Sequence, residues 1–331
     1  MKTSQRDHGL LDPVITELDA ARAIVYRHMS STPSLTWPLL NQRAGCDVWV
    51  KHENHTPVGA FKVRGGLVYL AGLKATQPDL KGVISATRGN HGQSLAFAAA
   101  KVGMQAVVVV PHGNNPEKNA AMTALGAEVI EYGDDFQEAL EHCQGLAAER
   151  DLFMIGPFDA PLVRGVASYA MEMFEQVAKL DAVYVPIGMG SGICGMITVR
   201  DALCLDTEII GVVTENADAY AQSFEAGHVV ATETANTVAD GLACRSPNAD
   251  AVDMIKRGAS RIVRVSEDQV LDGMGYFFTD THNLAEGAAG AALAGLLTEK
   301  DKLAGKRVGV VLTGGNADKG TMCRVLSENI G

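Results

Sequence analysis

Short runs of apolar, β-branched residues alternate along the chain with longer segments of helical periodicity. Several of the runs are apolar almost throughout, as expected for strands that are covered on both faces. We predict strands at 47–53, 82–86, 105–111, 127–133, 182–188, 208–213, 261–266 and 307–315. Strands that alternate with helices predict an α/β fold with mainly parallel sheets covered by helices.

Helical segments separate these strands, and several of them end at or near a glycine, which is a common helix stop. We predict helices at 60–73, 90–103, 115–126, 134–151 and 161–179. A chain of 331 residues exceeds the usual size of one compact core, so two lobes or one large domain is expected. Because no long polar linker is visible, a second lobe would have to be inserted into the first by close crossings.

Composition and charge exclude several classes of partner. The chain is 47% hydrophobic and 20% charged, which argues against disorder, and its formal net charge of −11 makes nucleic acid and anionic membranes poor partners. The charged start at residues 1–14 does not resemble a secretory signal, and the apolar runs are too short or too Gly-rich to span a bilayer, so we expect a cytoplasmic protein. The cysteines lack zinc-ligand spacing and are expected to be small buried hydrophobes.

The first segment that could carry chemistry is KHENHTPVGAFKVRGG, residues 51–66, where a strand leads into a helix. Lys62 lies in the first turn of that helix. A cation is disfavoured there by the helix dipole. Lys62 therefore either points into solvent or is held neutral for use, for instance as an imine with an aldehyde.

The second segment is SATRGNHGQSLAFAAA, residues 85–100, in which a strand turns into a helix at Thr87, Arg88, Gly89 and Asn90. The first N–H groups of such a helix suit a carboxylate or a phosphate. The alternative is that Thr87 or Asn90 simply caps the helix.

The third segment is PIGMGSGICGM, residues 186–196, which places glycines between an apolar strand and a helix. Glycines let a backbone approach an anion closely, and free N–H groups then hold it, so this loop is a candidate phosphate site. Gly190, Gly192 and Gly195 also satisfy the G-x-G-x-x-G spacing, and Glu215 follows the next strand, so a dinucleotide is a second possibility.

The fourth segment is VVLTGGNADKG, residues 310–320, a strand that ends in a hydroxyl and two glycines. Taken by itself it reads as an ordinary turn.

Together, and in this order, the four segments resemble those of the fold type II pyridoxal-phosphate enzymes, specifically the serine/threonine dehydratase and serine racemase family. The resemblance covers nearly the whole chain. It implies a two-lobed, tryptophan synthase β-like fold with a large cofactor-binding domain from residues 1–70 and 159–331 and a small domain from residues 71–158. It also implies pyridoxal 5′-phosphate as cofactor, a small-molecule amino acid substrate and a homo-oligomer such as a homodimer.

The resemblance assigns roles residue by residue. GAFKVRGG matches the family's Ser-Phe-Lys-x-Arg-Gly segment and makes Lys62 the Schiff-base lysine, and TRGNHGQ matches the Ser-x-Gly-Asn-His segment. LTGGN matches the Ser-Gly-Gly-Asn strand end, so Thr313 should meet the pyridine nitrogen, while Asn90 should bond the ring hydroxyl. The expected cofactor-binding residues are Phe61, Asn90, Gly188, Met189, Gly190, Ser191, Gly192 and Thr313, and the expected substrate-binding residues are Thr87, Arg88, Gly89 and His91.

Two departures from the family pattern refine the reaction. Arg88 stands where racemases keep a serine, and an arginine stays charged, so racemisation is less favoured than dehydration. We expect a buried Arg88 guanidinium that is matched by a carboxylate, either from the substrate or from a nearby acidic residue. In GVVTENADAYAQS, residues 211–223, Val213 and Ala219 stand where racemases have metal-binding carboxylates, so no metal site is expected.

The reaction expected from this comparison is dehydration of a 3-hydroxy amino acid, namely L-threonine, L-serine or a related one such as 3-hydroxyaspartate, to a 2-oxo acid and ammonia. An amino acid racemase and a β-replacement synthase of the same fold remain alternatives. A binding protein on a degenerate enzyme scaffold is a further one.

Overall fold

A computed structural model of the protein describes residues 15–328. The charged segment at residues 1–14, which argued against a secretory signal, lies outside the described residues. No helix within residues 15–328 is long and apolar enough to cross a membrane.

The strands of the described residues form two sheets. The strands are β1 (Ser34–Thr36), β2 (Asp47–His52), β3 (Gly82–Ala86), β4 (Gln105–Val110), β5 (Ala127–Glu131), β6 (Phe153–Met154), β7 (Ala182–Pro186), β8 (Glu208–Thr214), β9 (Arg261–Val265) and β10 (Arg307–Leu312). The larger sheet has the order β1-β2-β10-β7-β8-β9 and the smaller one the order β5-β4-β3-β6. All neighbouring strands are parallel except β1, which is antiparallel to β2.

Helices connect the strands and cover both sheets. They are α1 (Ile15–Tyr26), α2 (Pro38–Ala44), α3 (Lys62–Thr76), α4 (Asn90–Val102), α5 (Pro116–Ala124), α6 (Phe136–Glu149), α7 (Ala160–Gln176), α8 (Ser191–Ala202), α9 (Ala219–Ala226), α10 (Ala249–Gly258), α11 (Glu267–Thr281), α12 (Gly287–Thr298) and α13 (Lys319–Glu328). The predicted fold class, mainly parallel sheets covered by helices, is confirmed.

All eight predicted strands are present, with ends that differ by at most three residues. β1 and β6 were not predicted because strands of three and two residues are too short to show a periodicity. The smaller sheet is built from residues 82–154 and the larger one from residues on either side of them. The expected domain boundaries at 70/71 and 158/159 remain a prediction.

Apolar side chains fill both faces of each sheet, which explains why the strand sequences are almost continuously apolar. Four cysteines are buried among them as expected, but Cys204 and Cys323 are exposed, so the expectation is wrong for those two.

The ends of β10, α3 and α4 are tied together at one place. Ala60 pairs with Gly314 in an isolated antiparallel bridge, and the Phe61 N–H donates to the Thr313 carbonyl at 2.9 Å. The Ser94 hydroxyl on α4 donates to the Lys62 carbonyl at 2.6 Å. Three of the four candidate segments therefore meet at the first turn of α3.

Candidate active site

Lys62 begins α3 and lies deep in the protein, yet part of its side chain remains accessible. Its amine stands 5.1 Å from the centre of the Phe61 ring. Within residues 15–328 no acceptor lies at hydrogen-bond distance from the amine. The alternative in which Lys62 points into bulk solvent is therefore wrong.

The protonation of Lys62 follows from this position. Burial lowers the pKa of the Lys62 amine to about 8, and the negative charge of Glu286 offsets only part of that effect. At pH 7 roughly a tenth of the amine is thus unprotonated, against less than about a thousandth for an ordinary lysine. A neutral amine can act as a nucleophile and as a base.

The turn at residues 87–91 leaves the start of α4 without a side-chain cap. Gly89 is the N-cap residue, and neither Thr87 nor Asn90 bonds the first N–H groups of the helix. The Thr87 hydroxyl instead accepts the Gly89 N–H at 3.4 Å. The capping explanation of this segment is therefore wrong, and the first turn of α4 is available to an anion.

His91 on the same turn is buried, and its Nε2 atom has no hydrogen-bond partner within the described residues. Burial and the neighbouring charge of Lys62 lower the pKa of His91 to about 3, so the ring is neutral. A buried polar atom without a partner is costly, which makes Nε2 a candidate contact for a bound molecule.

The glycine loop between β7 and α8 also leaves a helix start uncapped. Gly190 is the N-cap residue of α8, with φ +97° and no side-chain cap. A Cβ atom at Gly190 would lie 2.8 Å from the Ala251 Cβ, and one at Gly188 would collide with the Gly241 carbonyl oxygen. Both positions therefore require glycine.

Phe61 connects this loop to Lys62. A Cβ built on Gly192 would stand 3.6 Å from the Phe61 ring, and that ring contacts Tyr169 edge to face at 6.0 Å between centroids. Gly195, which completes the dinucleotide-like spacing, lies inside α8 and faces the Ala167 backbone of α7. Its glycine is thus explained by close packing of two helices.

A hydrogen-bonded chain joins the second and fourth segments through Glu286, which the sequence analysis missed. One Glu286 oxygen accepts the Asn90 amide at 2.7 Å, and the other accepts the Thr313 hydroxyl at 3.1 Å. Asn316 donates to the Asn90 carbonyl oxygen at 2.8 Å. Burial raises the pKa of Glu286. The available signal was an acidic residue immediately before a continuously apolar helix, α12.

Arg88 is exposed, and in the described part of the chain no carboxylate pairs with its guanidinium. The expectation of a buried guanidinium is therefore wrong. Its backbone carbonyl accepts an Asn114 amide at 3.3 Å, which fixes the turn. Lys118 of α5 packs its stem against Gly89 and pairs with Asp240, so two cations flank this turn.

The segment around the end of β8 has apolar residues at the two positions that the sequence comparison singled out for metal binding. Val213 and Ala219 are buried apolar residues. Asp218 already accepts hydrogen bonds from Arg264 at 3.0 Å and Gln222 at 2.7 Å. Among residues 15–328, no group of three or more His, Cys, Asp or Glu side chains is placed to hold a metal ion, so we expect chelators to have little effect on the protein.

Comparisons with known proteins agree with this arrangement. Residues 25–314 match the model of a family described as pyridoxal-phosphate dependent enzymes. The match spans the first three candidate segments and residues 310–314 of the fourth. A dinucleotide site at the glycine loop is therefore set aside.

Curated relatives and solved structures extend the comparison. The chain is 33% identical to an L-threo-3-hydroxyaspartate ammonia-lyase of Saccharomyces cerevisiae, over 91% of this chain and 92% of that one. It is 33% identical to a beta-hydroxyaspartate dehydratase of Paracoccus denitrificans, over 92% of this chain and 97% of that one. The crystal structure of a threonine deaminase from T.th. superposes with a TM-score of 0.87 at 31% identity and covers 92% of this chain and 99% of that one.

Proposed function

Because the chain belongs to the family of pyridoxal-phosphate dependent enzymes, we propose that it is a dehydratase that converts 3-hydroxyaspartate to a 2-oxo acid and ammonia. The observation that favours 3-hydroxyaspartate as the substrate is the exposed Arg88 on the turn that starts α4. L-Threonine and L-serine have only one carboxylate and would leave such a cation unused.

The residues present fit pyridoxal phosphate. The Lys62 amine lacks an acceptor and is suited to hold the aldehyde, while the uncapped start of α8 and the glycines at 188 and 190 form a cradle for the phosphate. We assign the ring hydroxyl to Asn90 and the ring nitrogen to Thr313. Glu286 bonds both of these side chains and would keep them in register with each other.

The side chains divide the chemistry among them. When bound, pyridoxal phosphate supplies an electron sink for the negative charge that develops at the substrate Cα. Lys62, with a pKa of about 8, takes the Cα proton on its Nζ atom as general base. The uncapped first turn of α4 and the neutral His91 ring bind and orient the α-carboxylate. The β-hydroxyl then leaves with a proton as water, and the released enamine tautomerises and is hydrolysed by water to the 2-oxo acid and ammonia.

The second carboxylate of the substrate is assigned to Arg88. A guanidinium binds a carboxylate through two parallel hydrogen bonds, and such charge-assisted pairs are stronger than neutral ones. The names of two relatives, an L-threo-3-hydroxyaspartate ammonia-lyase and a beta-hydroxyaspartate dehydratase, support the same substrate.

The test compares the kcat/KM values of one variant, Arg88→Ser, for two substrates. Arg88→Ser should lower kcat/KM for 3-hydroxyaspartate by about ten- to a thousandfold, the ~1.4 to 4 kcal/mol of a charge-assisted contact. L-Threonine should be affected much less, because its side chain offers nothing to a cation. Steady-state release of the 2-oxo acid gives both values.

Arg150→Ser is the matched control, since that arginine is a surface residue paired with Glu128 on the smaller sheet's side of the molecule. An equal loss for both substrates would assign Arg88 to the α-carboxylate and contradict its role in substrate choice. Unchanged kinetics for both would remove Arg88 from the site.

The proposal includes a cytoplasmic homodimer. Exposed apolar side chains on or next to β1, α2 and α11 support the dimer: Leu35, Leu39, Phe278 and Leu284. α2 follows β1 directly and packs against α11, so these side chains lie on neighbouring elements, and extended exposed apolar patches mark interaction surfaces. Light scattering on the eluting holoenzyme would give the mass of the particle, and a mass of one chain would contradict the dimer.

A further inference from the structure

Two buried tyrosine hydroxyls contact the glycine loop from the side of the protein core. The Tyr220 hydroxyl of α9 donates to the Met189 carbonyl at 2.9 Å. The Tyr169 hydroxyl of α7 donates to the Gly192 carbonyl at 2.8 Å. These contacts lie on the loop assigned above to the cofactor phosphate, so their meaning rests on the proposed function.

Toward Met189, the Tyr220 hydroxyl acts as a hydrogen-bond donor. The hydroxyl oxygen accepts the Asn248 N–H at 3.2 Å, so its single hydrogen is free to be donated to Met189. Burial raises the pKa of both phenols far above the ordinary value, so each remains a donor at any physiological pH.

A hydrogen bond to a peptide carbonyl also fixes the direction of the N–H group in the same peptide unit. In a trans peptide the C=O and the N–H of the same unit point in opposite directions. When Tyr220 holds the Met189 carbonyl toward the core, the Gly190 N–H must point the other way. The Met189–Gly190 peptide lies outside the helix, and Gly190 has φ +97°, so no helical hydrogen bond fixes this orientation.

Tyr169 acts on a neighbouring peptide that α8 already orients. Gly192 lies in the first turn of α8, where the helical geometry directs the Ile193 N–H toward the helix start. The Tyr169 bond therefore pins the first turn of α8 against α7 more than it sets a peptide direction. Tyr169 should therefore contribute less to cofactor affinity than Tyr220.

We propose that Tyr220 and Tyr169 are positioning residues for the cofactor phosphate. Tyr220 holds the Met189 carbonyl toward the core and so presents the Gly190 N–H to the phosphate, whereas Tyr169 holds the first turn of α8 in place. The need is greatest at Met189, because its peptide lies before α8 and is not oriented by the helix. The Met189 side chain packs into the apolar core beside Tyr220. Side chain and carbonyl of this residue are thus both anchored on the core side.

The experiment measures cofactor affinity directly. Apoenzyme is titrated with pyridoxal 5′-phosphate and, separately, with pyridoxal, which lacks the phosphate, and binding is followed by protein fluorescence. Tyr220→Phe should weaken binding of the phosphorylated cofactor by about three- to tenfold, the range that corresponds to one hydrogen bond. Binding of pyridoxal should stay the same. Tyr169→Phe should show the same selectivity with a smaller loss.

Tyr184→Phe is the matched control, because Tyr184 is also a buried tyrosine but its hydroxyl bonds Glu299 at 2.8 Å. It should bind both compounds like the unmodified protein. Unchanged affinity for the phosphorylated cofactor in Tyr220→Phe and in Tyr169→Phe would overturn the proposal. An equal loss for pyridoxal would also overturn it, since the hydroxyls would then support the whole site rather than the phosphate loop.

Discussion

Lys62 and Glu286 are two buried titratable side chains whose pKa values move because of the same surroundings. Burial disfavours the charged form of each, so the pKa of the lysine falls to about 8 and the pKa of the glutamic acid rises. Groups with such shifts concentrate at functional sites. The pair therefore supports the assignment of this candidate site independently of the sequence motifs.

A first prediction concerns the pH dependence of cofactor capture by the apoenzyme. Only the neutral Lys62 amine attacks an aldehyde, and it becomes neutral as the pH rises through its pKa. The rate of covalent capture should therefore rise with pH and level off above about pH 8. Stopped-flow absorbance measures this rate. A rate that still rises steeply above about pH 10, the ordinary range of a lysine, would show that the amine is exposed and unperturbed.

A second prediction concerns the kcat/KM of the variant Glu286→Gln. A glutamine offers one acceptor oxygen and one amide donor in place of two acceptor oxygens, so one of the bonds to Asn90 and Thr313 is either lost or reversed in direction. We expect kcat/KM to fall by roughly tenfold, as for one lost buried hydrogen bond. The loss should be equal for 3-hydroxyaspartate and L-threonine, because neither Asn90 nor Thr313 contacts the part of the substrate that differs.

Glu299→Gln is the control for Glu286→Gln. Glu299 is equally buried but bonds Tyr184 and Arg261, away from the candidate site. It should lower stability without lowering kcat/KM. A Glu286→Gln variant with full activity would show that the chain from Asn90 to Thr313 does not need its central carboxylate.

At the scale of the elements, the sequence predicts the strands better than the helices of the C-terminal half. Strands covered on both faces show as apolar runs bounded by turn residues, and all eight such runs are strands. α12 is apolar on every side, so it has no period by which to recognise it. Glu286 precedes α12, and its contact with Asn90 spans 196 residues of sequence. No local pattern could reveal it.

The site residues also differ in whether a local sequence pattern could predict them. Lys62, Asn90 and the glycine loop lie in local motifs at element ends, where sequence alone can indicate a ligand. The exposure of Arg88 and the hydroxyls of Tyr169 and Tyr220 depend on tertiary packing. No local sequence pattern predicts these features.

A third prediction tests the glycine loop as an element. Gly190→Val should weaken cofactor binding more than it lowers kcat at saturating cofactor, because φ +97° disfavours a side chain and the new Cβ would crowd Ala251. Gly145→Val is the control, since a Cβ at Gly145 meets nothing within 4 Å. Equal cofactor affinities in the two variants would contradict the phosphate-loop assignment.

At the scale of the whole molecule, a buried ionic cluster anchors the helix that carries Lys62. Arg64 of α3 donates to Glu53 at 2.7 and 2.9 Å and to Glu172 of α7 at 2.7 and 2.8 Å. Lys51 of β2 donates to Glu172 at 2.6 Å. Burial alone would raise the pKa of Glu172, but Arg64 and Lys51 lower it, so the carboxylate stays charged. The cluster ties α3 to the larger sheet and to α7.

A fourth prediction follows from this cluster. Arg64→Met should lower the free energy of unfolding by about 3 to 5 kcal/mol, because it leaves two buried carboxylates with too few cations. Arg307→Met is the control: it breaks a half-exposed pair with Asp47 and should change stability by about 1 kcal/mol or less. Urea unfolding of the holoproteins measures both. Equal losses would show that the cluster stabilises no more than a surface pair.

The most direct test of the proposed reaction is a product assay with both diastereomers of L-3-hydroxyaspartate. The purified holoenzyme, with no added nucleophile, should release oxaloacetate and ammonia in equal amounts from at least one of them, with a higher kcat/KM than for L-threonine. Lys62→Ala should release neither product while it keeps its fold. Recovery of the substrate with inverted configuration at Cα, or a higher kcat/KM for L-threonine, would contradict the proposed dehydration of 3-hydroxyaspartate.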